Sequence, residues 1–287
     1  MMDSKDQRAQ KEHKDRKDGD KASRRLTFVK LLEKLLGARE VEVLQPTESE
    51  SVEDEGRPVT ESSFNITTPP ICATQGVTPG NVSDSNLPTK SDDLGIIVGL
   101  LGSIPRWHKG SVINFAAYAR GYPTDADAVY AAQQLNRAAL YWNRINVGVT
   151  FRWVGKLEDA AFVLSYGGNQ GGLVARAFFP NNRDLNDMIV YKRAFDPDLK
   201  PNMWRYFLHE LGHVLGLRHE FAPEREQNSG ATKFGPRDPL SVMEYRPEPP
   251  MITALDAEST KAFYAIPAGP GPSYIGNTPL AVFHPDN

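Results

Sequence analysis

The sequence predicts one unit in which helices pack against a sheet, of the α+β or α/β kind and not a helical bundle. Three observations carry this expectation. A long helical period covers Asp125–Asn143; short runs rich in branched and aromatic residues, divided by Gly- and Asn-rich turns, stand on both sides of it; and a second helical period, Met203–Leu217, carries histidines at helical spacing. With 287 residues the chain can form one large or two small domains. A net charge of −3 gives no global field that would draw nucleic acid or an anionic membrane. The single cysteine, Cys72, excludes an intrachain disulfide and a cysteine-rich zinc ribbon.

Residues 1 to about 25 alternate basic and acidic side chains with almost nothing to bury, so disorder is expected, and they lack the apolar core of a secretory signal peptide. Leu26–Leu36 follows as a short amphipathic helix able to dock on the main domain as a pro-segment or to bind a partner. From Arg39 to Lys90 the chain is acidic and then rich in Ser, Thr and Pro, the chemistry of a linker. Sequons begin at Asn65 and Asn81, and without a signal peptide both are expected to be unused. The longest apolar run, Leu94–Ile104, is interrupted by three glycines and a serine and is too short to span a bilayer. Residues 1–93 are therefore read as a largely disordered N-terminal region or pro-segment, 94–267 as the folded domain and 268–287 as an irregular, Gly/Pro-rich tail. A soluble protein without a membrane span is expected, its compartment and oligomeric state left open.

Within the folded domain, Val112–Phe115 reads as a strand by its branched and aromatic content. Helix Asp125–Asn143 has Thr124 as N-cap and Ala128, Ala131, Leu135, Ala138, Ala139 and Trp142 on its buried side. Strands are expected at Val149–Val154, Phe162–Tyr166, Leu173–Phe178 and Met188–Tyr191. Helix Ala257–Ile266, capped by Thr253 or Asp256, closes the domain.

The segment His209–Glu220, HELGHVLGLRHE, holds three of the six histidines. Residues four apart on a helix share a face, so His209 and His213 present two imidazoles together. Gly216 can turn the chain at positive φ and bring His219 to the same point. Three neutral imidazoles with an open fourth position are a catalytic zinc arrangement, whereas a structural zinc is normally closed by four protein ligands. Glu210, next to the first ligand, is the natural base of a hydrolytic site. Without Gly216 and His219, H-E-x-x-H alone would be a motif that ordinary helices produce by chance.

This segment resembles the extended zinc signature of the metzincin metallopeptidases, H-E-x-x-H-x-x-G-x-x-H. Ser241-Val242-Met243-Glu244-Tyr245 is similar to their methionine-containing turn, and its S-x-M-x-Y form together with Glu220 resembles the astacin branch, with serralysin-like and matrixin-like features elsewhere. The resemblance implies a metzincin-like α+β fold with a twisted mixed sheet, an active-site helix, the methionine turn and a C-terminal helix. It implies one zinc ion on His209, His213 and His219, Glu210 as general base, Met243 as a floor beneath the imidazoles, and Tyr245 as a resting ligand that swings to the developing oxyanion. It also implies that Glu220 anchors a trimmed N-terminus, and that Leu173–Phe178 is an open edge strand able to bind a peptide substrate by adding it to the sheet. Arg176 stands where matrixins carry a histidine for a second zinc, so a single zinc is expected. The expectation is a zinc-dependent metalloendopeptidase acting on proteins or peptides. The alternatives are a catalytically silent, zinc-binding metzincin-fold protein that binds peptides, and a zinc hydrolase of small amides.

Overall fold

The computed structural model describes residues 23, 25–47, 71–74, 95–225, 230–268 and 271–285. The charged stretch 1–22 and the sequons at Asn65 and Asn81 lie outside the described residues. The fold is mixed α+β.

Its first described element is a helix over 25–36, here α1. Strand β1 (Ile71–Thr74) follows, then β2 (Ile96–Val98), β3 (Ile104–Trp107) and β4 (Val112–Ala117). Helix α2 (Asp125–Ile145) matches the expected helical period; the Thr124 side chain caps it by accepting the Asp127 amide. Strands β5 (Thr150–Trp153), β6 (Phe162–Tyr166), β7 (Leu173–Ala177) and β8 (Asn186–Val190) occupy the four expected stretches with small shifts of their ends. Then come α3 (Met203–Val214), β9 (Leu217–Arg218), the short α4 (Ala222–Arg225), β10 (Thr232–Phe234), α5 (Ala254–Ala265), β11 (Tyr274–Ile275) and β12 (Thr278–Phe283).

The main sheet runs β1-β7-β8-β6-β4-β5. All its neighbours are parallel except β7 and β8, which are antiparallel, so the sheet is mixed. Alternation along the strands separates two faces. Ile113, Phe115 and Ala117 of β4 and Phe162 and Leu164 of β6 point into the large core with α2 and α3. Ala116 and Val163 point the other way, into a smaller cluster with Val29 of α1, Val41, Leu157 and Ala160. The amphipathic helix expected near 26–36 thus forms and docks, but on the sheet face opposite α2 and α3. Leu26, Leu31, Leu35 and Leu36 on its outer side stay exposed.

Two expectations are corrected. β7 is not an open edge: Ile71–Thr74 pairs along it in parallel, with Ala73 opposite Arg176 and Thr74 opposite Ala177. Strand pairing between segments about a hundred residues apart leaves no mark on either local sequence. Nor is 268–287 irregular throughout. β12 lies parallel to β3, Leu280 opposite Ile104 and Val282 opposite Arg106, and folds back on β11 through Gly276-Asn277, with Gly276 at φ 57°. Thr278–Phe283 is apolar enough to form a strand, and a Gly-Asn pair is a hairpin signal that the surrounding prolines and glycines hide. No helix among the described residues is long and apolar enough to cross a membrane.

Candidate metal centre

Helix α3 is held by indole and phenol groups from three other elements. Trp142 of α2 donates its indole N–H to the Leu208 carbonyl at 3.0 Å, and Trp107 of β3 donates to the Val214 carbonyl at 2.7 Å. Tyr264 of α5 donates its hydroxyl to the Leu215 carbonyl at 2.9 Å. The last two satisfy carbonyls that a helix C-terminus otherwise leaves without partners. Just beyond, Gly216 has φ 96°, where a Cβ would run into the Pro105 carbonyl oxygen, so the helix stops and the chain reverses there. β9 then pairs with β2, Val98 opposite Leu217 and Ile97 opposite Arg218, and the Arg218 guanidinium donates to the Gly99 carbonyl at 2.9 Å. This pairing delivers His219. The apolar run 94–104 therefore supplies the strand that places the third histidine.

His209, His213 and His219 are all buried, and each offers a nitrogen within 4.8 Å of the others. His213 Nε2 and His219 Nε2 are 3.1 Å apart, close to the about 3.3 Å separating two nitrogens bound at 2.0–2.1 Å to one tetrahedral zinc. The tautomers of the first two follow from their partners. His209 Nδ1 lies 2.8 Å from the Val242 carbonyl and His213 Nδ1 lies 2.8 Å from the Leu217 carbonyl. A carbonyl only accepts, so both Nδ1 atoms carry hydrogen and both Nε2 atoms carry the lone pair. His209 Nε2 is buried with no hydrogen-bond partner among the described residues. Burial holds the His209 imidazole neutral, its pKa lowered to about 4, with the Val242 carbonyl opposing. Burial likewise lowers His213 and His219 well below the ordinary value, the neighbouring imidazoles adding to the effect. A neutral donor set whose first two imidazoles are anchored by backbone carbonyls fits a metal ion.

Glu210 is fully buried on α3 and is not one of the three grouped ligands. The Tyr191 phenol is held above its ordinary pKa first by burial, with the Glu210 carboxylate adding to the rise. Tyr245 is brought to the centre, its ring centroid 4.7 Å from that of His219 and 5.8 Å from that of His209. The turn Ser241–Tyr245 runs beneath α3: Met243 is buried there, and a Cβ at Gly212 would collide with its sulfur. Glycine at 212 is thus the residue that lets this turn approach the helix.

Two aromatic neighbours escaped the sequence reading. Phe221 stacks on His219 with centroids 4.8 Å apart and meets Tyr245 at 4.9 Å, and Phe179, two residues past β7, meets His213 edge-on at 5.5 Å. An aromatic two residues after a ligand and one at a strand end carry no spacing signal of their own. Glu220 lies buried beside this layer and accepts the Asp238 amide at 3.1 Å. A scan of the chain against models of protein families finds no match, and a search among curated proteins finds none.

Proposed function

We propose that the protein is a zinc-dependent metalloendopeptidase of the metzincin type, closest to the astacin branch, hydrolysing peptide bonds in proteins or peptides. One observation carries this reading: three buried imidazole nitrogens converge with Glu210 buried on the same helix. Three protein ligands leave a fourth position free on a tetrahedral ion, which suits catalysis and not a purely structural role. A zinc ion held by His209, His213 and His219 would supply Lewis acidity to a water molecule and to the scissile carbonyl. Glu210 takes the proton of the attacking water and passes it to the leaving amine, so one carboxylate serves as base and then acid. The Tyr245 hydroxyl hydrogen-bonds the carbonyl oxygen as negative charge grows on it. Met243 packs as the floor that keeps the imidazoles from sinking away from the substrate side. The order of the two motifs in the chain, H-E-x-x-H-x-x-G-x-x-H and then S-x-M-x-Y, supports the family reading.

A second reading, a metal-holding protein that binds peptides without cleaving them, is favoured by β1, since the sheet edge leading to Phe179 already accepts a strand. Incubation with a quenched peptide library, with and without chelator, separates the two. Wild-type cleavage is expected to be chelator-sensitive, and Glu210→Ala is expected to lose about 10²–10⁴-fold in rate while retaining the metal. Cleavage by the variant at the wild-type rate sinks the mechanism. Peptide binding without cleavage by the wild-type protein, including a form lacking 71–74, selects the second reading.

A further inference from the structure

We infer that Asp256, at the start of α5, is a positioning residue for the metal centre, acting on His209 through Ser241 and the Val242–Met243 peptide. The inference rests on the reading of His209 as a metal ligand. His209 Nδ1–H donates to the Val242 carbonyl at 2.8 Å. That carbonyl shares its peptide group with the Met243 N–H, which donates to Ser241 Oγ at 3.0 Å. The Ser241 hydroxyl donates in turn to Asp256 Oδ1 at 2.6 Å. Every hydrogen bond in the series points the same way, from imidazole to peptide to hydroxyl to carboxylate.

Bonds aligned in this sense polarise one another, and burial prevents water from screening them. His209, Ser241, Val242, Met243 and Asp256 are all buried. The negative charge of Asp256 therefore reaches the imidazole without touching it, making Nε2 a stronger donor to a metal and fixing the plane of the ring. A carboxylate bonded directly to a metal-ligating histidine has this effect; here a hydroxyl and one peptide stand between. Asp256 Oδ2 also accepts the Val242 N–H at 2.8 Å, which clamps the same turn from its other side.

The ordinary role of Asp256 is local. It forms a capping box with Thr253, accepting the Thr253 N–H at 2.9 Å and giving its own N–H to Thr253 Oγ1 at 3.0 Å. That role accounts for neither the Ser241 nor the Val242 bond. His213 supplies an internal comparison, because its Nδ1–H ends on the Leu217 carbonyl, outside the series.

The test uses the full chain loaded with Zn2+, reading imidazole N–H resonances by proton–nitrogen NMR and zinc affinity by competition with a chromophoric chelator. Ser241→Ala and Asp256→Asn are expected to weaken zinc binding about 10–100-fold and to move the His209 Nδ1–H resonance upfield, leaving that of His213 in place. Thr253→Ala removes half of the cap; it is expected to lower stability and change neither affinity nor resonance. Ser241→Ala alone decides the matter if Asp256→Asn does not fold. Unchanged affinity in Ser241→Ala, or equal displacement of the two resonances, overturns the inference while leaving the three-histidine site standing. A wild-type protein that takes up no zinc removes both.

Discussion

The Glu220 carboxylate is buried and accepts one hydrogen bond among the described residues. Its Oε2 accepts the Asp238 amide, and its Oε1 is buried with no hydrogen-bond partner among the described residues. Burial is the main cause that pushes its carboxyl up to about 8; the Asp238 amide opposes this, and the carboxylates of Asp256, Asp238 and Glu244 add to it. In the unfolded chain the same group titrates near its ordinary value of 4.5. Between these two values the native state keeps a proton that the unfolded state has released. Stability contributed by the neutral group is therefore full at low pH and is lost as pH rises through the window. Denaturant unfolding of the metal-free protein across pH 4.5 to 8, beside Glu220→Gln, should show the wild type losing ground to the variant as pH rises. A constant difference between the two would show that Glu220 ionises as readily in the fold as out of it.

The two N-terminal elements that touch the domain do so in different places, and this separates their effects. α1 covers the second face of the sheet through Val29, far from the helix that carries the histidines. β1 lies along β7, whose chain continues into Phe179 and its contact with His213. Deleting 25–36 is expected to expose the smaller cluster and lower the melting temperature, loss of the buried Val29 costing about 1.5–3 kcal/mol, with no gain in peptide turnover. Replacing 71–74 by a Gly/Ser stretch of equal length is expected to raise turnover and leave the melting temperature nearly unchanged. Activation by the first change and not the second would reverse these roles. The helices were legible because their signals are local: a full apolar stripe and Thr124 for α2, Thr253 with Asp256 for α5. β2, β9 and β12 were not. β2 and β9 are short and bordered by glycine, β12 contains Pro279 and follows a Gly-Asn turn, and β2 and β12 gain their partners from distant parts of the chain, β9 for β2 and β3 for β12.

For the whole molecule, an ion held by the three histidines would join parts that the backbone reaches separately. Its ligands come from α3 and from the residue after β9, and their outer partners come from the Ser241 turn and from β9. Metal that binds only the native state adds about 2.7 kcal/mol when present at a hundred times its dissociation constant. Calorimetry with and without chelator should thus show a lower transition on metal removal, and a variant with alanine at 209, 213 and 219 should show no such shift. The three ligands and Glu210 were legible because they fit in one helix and one turn. The carbonyls, aromatics and carboxylate around them were not, since they gather from positions as distant as Trp107, Phe179 and Asp256.

The pairing of β3 with β12 also sets a schedule for synthesis. Trp107, whose indole holds the end of α3, sits on a strand whose partner ends at Phe283, and the buried Arg25 guanidinium finds the Pro285 carbonyl 260 residues away. A ribosome adding about 5–20 residues per second needs roughly 10–35 s to travel from the one strand to the other. For the later part of that interval, once residue 214 has been made, the nascent chain carries the H-E-x-x-H helix while β3 still lacks its β12 partner, open to chaperones and to neighbouring chains on the same message.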